Sequence, residues 1–336
     1  MSTVIRADGL TKRYNGTLAV AGVDLLVDEG EIHGLVGPNG AGKTTLLKML
    51  ATLLPPTAGD AEVAGASVRR EPDSVRHVIG YMPDSFGVYD DMKVWEYLDF
   101  FGRCYGLPAA RRRRMIGDLL ELVDLADKRE AYVQSLSRGM QQRLCLAHTL
   151  VHDPSVLLLD EPASGLDPRA RVELRELLRE LRTLGKTILI SSHILPELEE
   201  LCTSVAIIDR GQLLASGRMD EIEARLRAGA VLRARIVGQE PERAAASAFF
   251  IAQPDVASVD TLPDGTLELA FTGDEAAGAG LLARAIRAGH RIATFSRAAS
   301  DLEELFLQVT AVEPAPVPSP RPERPGPPAG WGAGVR

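Results

Sequence analysis

Ile32-His33-Gly34-Leu35-Val36 runs directly into Gly37-Pro38-Asn39-Gly40-Ala41-Gly42-Lys43-Thr44, and the helix-like run Thr44 to Leu54 follows. A short, mostly apolar segment bounded by glycine reads as a buried strand, and the segment after the loop reads as a helix. The spacing between them matches GxxxxGK[ST], with a strand before it and a helix start after it. Glycines let successive backbone N–H groups curl around a phosphate, and the helix N-terminus adds the positive end of its dipole. In this reading Gly37, Pro38, Asn39, Gly40, Ala41, Gly42, Lys43, Thr44 and Thr45 form a nucleotide-phosphate cradle. Lys43 reaches the β and γ phosphates and Thr44 ligates Mg²⁺.

The rest of the chain fits an α/β protein built on that unit. Val156-Leu157-Leu158-Leu159-Asp160 and Thr187-Ile188-Leu189-Ile190-Ser191 are continuous apolar strands, and Val205 to Asp209 is another. An amphipathic helix over Arg169 to Leu184 and a second through Leu195 to Leu201 lie between them. Such strands linked by helices imply a parallel sheet covered on both faces. Between about 85 and 150 the period turns helical, with Val94, Trp95, Leu98 and Phe101 on one face, and a helical insertion is expected there. The cassette is thus drawn over 1–220, followed by a connector over 221–230.

A second unit is expected over 231–310, with strands Val231 to Val237, Val256 to Thr261, Thr266 to Phe271 and Arg291 to Phe295. Helices Pro241 to Ala252 and Glu275 to Ala288 complete a βαββαβ order, and a last helix spans Asp301 to Val309. That order predicts a small ferredoxin-like domain. Residues 311–336 are too rich in proline and glycine to form a packed element and read as disordered.

Composition narrows the class. The chain has 336 residues, of which 45% are hydrophobic and 25% charged, so it is globular overall. Against 46 acidic side chains stand 38 Lys and Arg, a net charge of −8, which argues against direct nucleic-acid binding. Cys104, Cys145 and Cys202 follow no metal-ligand spacing. No apolar stretch is long enough to span a bilayer, and the N-terminus lacks a secretory apolar core.

The apolar strand ending in Asp160-Glu161-Pro162 supplies the second piece of chemistry. Ligands gather beyond the carboxyl ends of parallel strands, so Asp160 should face the phosphate loop and hold Mg²⁺ through water. Glu161 is then positioned to orient or deprotonate the attacking water. Asp167-Pro168 is a favourable cap and first-turn pair for the next helix. The run Arg111 to Arg114 is expected to be a solvated helix face.

Leu136-Ser137-Arg138-Gly139-Met140-Gln141-Gln142-Arg143, shortly before that strand, resembles the LSGGQ signature of ATP-binding cassette (ABC) proteins, with Arg and Met at two core positions. The resemblance covers roughly residues 4 to 220 and includes Ser164-Gly165-Leu166-Asp167 (D-loop), His193 (switch histidine) and Tyr14 (adenine-stacking position). It implies that two nucleotide-binding domains close head to tail around ATP, with Ser137 and Gly139 contributed across the interface and Asp167 of the D-loop among the nucleotide-site residues. His193 would contact the γ-phosphate. Asp84 stands where the family carries glutamine, so an altered site coupling Mg²⁺ to the helical insertion is expected there.

The resemblance implies an ATPase subunit of an ABC transporter, with ATP and Mg²⁺ as cofactors. Its partners would be a second nucleotide-binding subunit, read as a copy of this chain, and a separate integral-membrane permease. The location expected is the cytoplasmic face of the cell membrane. Asp301-Leu302-Glu303-Glu304-Leu305-Phe306-Leu307 resembles the ending of ABC-2-type exporter ATPases. The alternative is a cytosolic ABC ATPase that remodels a ribosome or nucleic-acid complex. Such relatives usually carry two cassettes or a long coiled-coil insertion.

Overall fold

Strands β3 (Ile32–Val36), β7 (Val156–Leu159) and β8 (Thr187–Ser192) are buried at every residue. The computed structural model describes residues 2–85, 87, 91–222, 230–262 and 264–297. These strands are the centre of a six-stranded sheet that also contains β6 (Ile79–Met82), β9 (Ser204–Asp209) and β10 (Gln212–Arg218), in the order β10-β9-β3-β8-β7-β6. All neighbours pair in parallel except β10, which returns antiparallel along β9.

The two-residue period of the pleat divides each strand between two cores. Leu157, Leu159, Ile188 and Ile190 face one of them, together with the helical insertion. Val156, Leu158 and Leu189 face the other. That second core is closed by the antiparallel sheet β2-β1-β4-β5, formed by β1 (Thr3–Tyr14), β2 (Thr17–Asp28), β4 (Ala58–Val63) and β5 (Ala66–Ser67). Helix α1 (Lys43–Leu50) is sandwiched there, burying Leu46, Leu47, Met49 and Leu50. Helix α2 (Pro72–Val78) leads into β6. It ends at Val78, and the strand begins at the next residue.

The insertion holds α3 (Val94–Cys104), α4 (Ala109–Leu122) and α5 (Arg138–Thr149). In the arginine run Arg111, Arg113 and Arg114 are exposed, as expected of a solvated face, and Arg112 is half-buried. Arg112 donates through Nε to Asp99 Oδ1 at 2.6 Å and through Nη1 to the Leu107 carbonyl at 2.6 Å, fastening α4 to α3. Burial raises the Asp99 pKa, but hydrogen bonds from Arg112 and Arg103 prevail and hold it below the usual aspartate range. A fourfold arginine run has no intrinsic periodicity, so the one half-buried member is invisible until the neighbouring helix is in place.

Asp167 caps α6 (Pro168–Thr183), accepting from Ala170 N at 2.9 Å, and Pro168 fills the first turn as the sequence predicts. Helix α7 (Leu195–Glu199) is shorter than expected. Neither the antiparallel strand β10 nor helix α2 is among the elements expected from the sequence.

The carboxyl-terminal unit comprises β11 (Ala230–Ile236), α8 (Glu240–Ile251), β12 (Val256–Thr261), β13 (Thr266–Phe271), α9 (Glu275–Arg287) and β14 (Ile292–Arg297). Its antiparallel sheet has the order β12-β13-β11-β14, the arrangement of two interlocked split βαβ units that defines a ferredoxin-like fold. It has its own core, centred on Leu232, Phe250, Leu269, Phe271 and Leu281. The expected helix Asp301 to Val309, the tail 311–336 and most of the connector lie outside the described residues.

Candidate nucleotide site

The loop after β3 is shaped by close backbone packing. A Cβ on Gly37 would lie 2.2 Å from the Ile208 carbonyl oxygen, and one on Gly42 would lie 2.5 Å from that of Ala19. Gly42 also has φ +110°, a region that glycine adopts without steric penalty. The loop is braced from behind, because Gly211 N donates to Ala41 O at 2.8 Å while Gly211 O accepts from Ala21 N at 2.8 Å. Helix α1 then begins with no side-chain cap and no acidic residue in its first turn. Its leading N–H groups, including those of Lys43, Thr44 and Thr45, are therefore free of the local acceptor that usually occupies a helix start.

The side chains that the sequence singles out converge on this loop. Lys43 is buried and donates to the carbonyls of Gly37 at 2.6 Å and Pro38 at 3.2 Å. It also forms an ion pair with Glu161 Oε1 at 3.1 Å, without the geometry of a full hydrogen bond. The other carboxylate oxygen of Glu161 lies 2.8 Å from His193 Nδ1. Glu161 itself holds φ +49°, a left-handed conformation that costs about 1–3 kcal/mol for a side-chain-bearing residue. In that conformation its carboxylate reaches the loop lysine.

Ser191, which the sequence reading leaves unassigned, ties the pair of acids together. Its hydroxyl accepts from Glu161 N at 2.9 Å and donates to Asp160 Oδ1 at 2.8 Å. A polar residue at the carboxyl end of an otherwise apolar strand is the sequence signal that points to it. Asp160 is wholly buried and its Oδ2 has no partner. Burial pushes its pKa up; hydrogen bonds from Ser191 and Thr44 oppose this, and the charges of Asp84 and Glu161 add to it. The Tyr81 hydroxyl is buried without a partner, and its pKa is raised by burial and then by the charges of Asp160 and Asp84. Asp84 itself is exposed.

Thr44 and the orphaned Asp160 oxygen form a hard-oxygen pair suited to a divalent cation, and Asp84 lends further negative charge. Tyr14 ends β1, 43% exposed, with Lys12 Nζ 5.3 Å from its ring centroid. It pairs with Thr17 in the β1–β2 hairpin, which also carries the Ala19 carbonyl packed against Gly42.

Ser137, Gly139 and Asp167 gather elsewhere. They line a separate hollow with Arg138, Gly165 and Ala170. Ser137 Oγ caps α5 by accepting from Met140 N at 3.3 Å, and a Cβ on Gly139 would meet Ala170 Cβ at 3.4 Å. Arg138, a departure from the signature, donates to the Ser164 carbonyl at 3.3 Å. Buried Gln142 donates to the Pro162 carbonyl, linking the signature helix to the segment just beyond Glu161.

Residues 20–164 match the ABC transporter family. The daunorubicin/doxorubicin resistance ATP-binding protein DrrA of Streptomyces peucetius is 38% identical over 306 residues, covering 91% of this chain and 92% of that protein. The Nod factor export ATP-binding protein I of Ralstonia nicotianae is 42% identical over 219 residues, covering 65% of this chain and 68% of the relative. A solved structure of an ATP-binding subunit of an ABC transporter superposes with a TM-score of 0.61 at 30% identity, covering 66% of this chain and 93% of that one. By its cassette fold, its phosphate loop and its likeness to DrrA along 91% of its length, the chain belongs to the ATP-binding proteins of ABC transporters.

Proposed function

We propose that the chain hydrolyses ATP to drive export through a separate membrane-spanning subunit, and that Lys43, Glu161 and His193 carry the chemistry. The observation that supports the catalytic part most directly is the linked cluster of those three side chains at the mouth of the phosphate loop. Export is supported by the functions for which the relatives are named, daunorubicin/doxorubicin resistance and Nod factor export. No helix among the described residues is long and apolar enough to cross a membrane; in this proposal the separate subunit carries the cargo pathway.

On nucleotide entry the Lys43 ammonium exchanges the carbonyls of Gly37 and Pro38, and Glu161, for phosphate oxygens. That exchange releases Glu161 to accept the proton of a water whose oxygen attacks the γ-phosphorus while the bond to the β-phosphate oxygen breaks. His193, already hydrogen-bonded to Glu161, holds the base in position and contacts the γ-phosphate. Thr44 and Asp160 would hold Mg²⁺, with Asp84 beside them, and the ion would supply charge neutralisation across the β and γ phosphates. Tyr14 would stack on adenine. Ser137, Gly139 and Asp167 complete the site from a second copy of the chain, whose signature helix N-terminus caps the γ-phosphate. The complex would assemble at the cytoplasmic face of the membrane.

The test is Glu161→Gln in the full chain. Steady-state turnover should fall by about 10²–10⁴-fold, while ATP binding followed by equilibrium dialysis stays intact. Turnover at the parent rate would remove Glu161 from the catalytic role.

A further inference from the structure

Between helices α6 and α7 a chain of polar contacts runs from the D-loop to the residue that precedes His193. Arg171 Nε donates to the Leu166 carbonyl at 3.1 Å, and its Nη1 pairs with Glu197 Oε1 at 2.8 Å. Glu197 Oε2 accepts from Ser192 Oγ at 3.1 Å. Ser192 is 4% exposed, its hydroxyl accepts from Ile194 N at 3.0 Å, and its carbonyl accepts from Gly37 N at 3.3 Å. The next residue is His193, on Glu161.

We infer that Arg171 and Glu197 are positioning residues for catalysis, acting through Ser192 to fix the turn that aims His193 at Glu161. This rests on the catalytic reading of Glu161 and His193 given above. The physical reason is the single proton of the Ser192 hydroxyl. It has two acceptors in reach, Glu197 Oε2 at 3.1 Å and the Ile194 carbonyl at 3.3 Å. An ionised carboxylate is the stronger acceptor, so Glu197 decides the hydroxyl's direction. Arg171 in turn holds Glu197 in place. Without that carboxylate the hydroxyl turns to Ile194 O, the turn relaxes, and the imidazole loses its fixed approach to Glu161. Misplacement of a catalytic group by about 1 Å can cost as much as 100-fold in rate.

The same two helices supply a control. Arg175 pairs with Glu200, one turn further from the site and without contact to Ser192. A purely structural role in joining α6 to α7 would be shared by both pairs.

Steady-state ATPase kinetics of the full chain separate these roles. Glu197→Gln and Arg171→Met should each lower kcat about tenfold with KM for ATP changed by less than about twofold. The double variant should fall no further than either single one. Glu200→Gln should leave kcat and KM as they are. Ser192→Ala keeps the ion pair and removes only the hydroxyl, so it tests the same point even where the charged variants lose their fold, and it too should lower kcat selectively. An unchanged kcat in Glu197→Gln or Ser192→Ala, an equal loss in Glu200→Gln, or additive losses in the double variant would overturn the inference. Glu161→Gln measured in parallel keeps the two claims apart. If it abolishes turnover while Glu197→Gln has no effect, only the bridge fails; if it retains turnover, the catalytic reading fails first.

Discussion

The hollow around Ser137 and the cluster around Lys43 lie on the same protomer and are built in opposite ways. At the phosphate loop, charge meets charge. Lys43 is held by two carbonyls and Glu161, Glu161 by His193, and Asp160 by Ser191. At the signature hollow, Ser137 and Asp167 do what isolated helix caps do, and no acid occupies the first turn of α5. One patch is assembled and internally paired before nucleotide arrives, so ATP must compete with the protein's own contacts. The other is lined by Arg138, Arg143, Arg169 and Glu173 as well, and presents the N-terminus of α5, which on the function proposed above would meet an anion from outside.

The largest effect expected from breaking this contrast is at Lys43. Lys43→Met removes the only buried cation at the loop among the described residues and should lower ATPase activity about 100- to 1,000-fold. The matching loss at the hollow should be smaller, since each donor there is one of several.

Two glycines sharpen the comparison. Gly37→Ala forces a methyl against the Ile208 carbonyl and should destabilise the chain by about 1–3 kcal/mol in denaturant unfolding. Gly139→Ala meets Ala170 at 3.4 Å and Leu166 at 3.7 Å inside a helix, where alanine is preferred by about 0.5–1 kcal/mol, so its stability should hold or rise. A fall in turnover there, without a fall in stability, would mark Gly139 as a position where something approaches from outside.

Ser137→Ala should cost about 1 kcal/mol through loss of the cap to Met140 N, read as a lower urea midpoint. Asp160→Asn should act with the opposite sign on stability and is the smallest effect of the series. Because burial raises the Asp160 pKa, the folded chain binds that proton more tightly than the unfolded chain does. Parent stability from this group is therefore present below the ordinary aspartate range and is lost as pH rises through the raised value. At neutral pH and without nucleotide, Asp160→Asn should melt above the parent, and the gap should close as pH falls toward about 4. An Asn variant that melts lower at every pH would contradict the account of Asp160 as a carboxylate held at a cost for its ligand.

The sequence discloses the loop-facing cluster better than its supports. Glycine spacing, a buried strand and terminal acids point to Lys43, Asp160 and Glu161 because local chain geometry decides where their side chains go. The same holds for the Asp167 cap, two adjacent residues read without any tertiary context. Ser191, Ser192, Arg171 and Glu197 are different, since each gains its meaning from a strand or helix far along the chain. Ser191 joins residues 31 apart, and no periodicity records such a contact. Arg112 teaches the same lesson in the insertion, where one of four adjacent arginines is taken from solvent by Asp99 on the preceding helix. Strand β10 escapes notice because Gln212 to Arg218 is only half-buried at the sheet edge and has neither a continuous apolar run nor a clean alternation. In the carboxyl-terminal unit, turn residues and short alternating strands make the βαββαβ order readable, and its sheet order then follows from right-handed crossovers.

The most direct measurement is the solution mass of the Glu161→Gln chain by light scattering with and without ATP. A site completed by a second copy's Ser137 and Gly139 predicts one chain without nucleotide and two with ATP. A chain that binds ATP to saturation and keeps the mass of a single copy would contradict it.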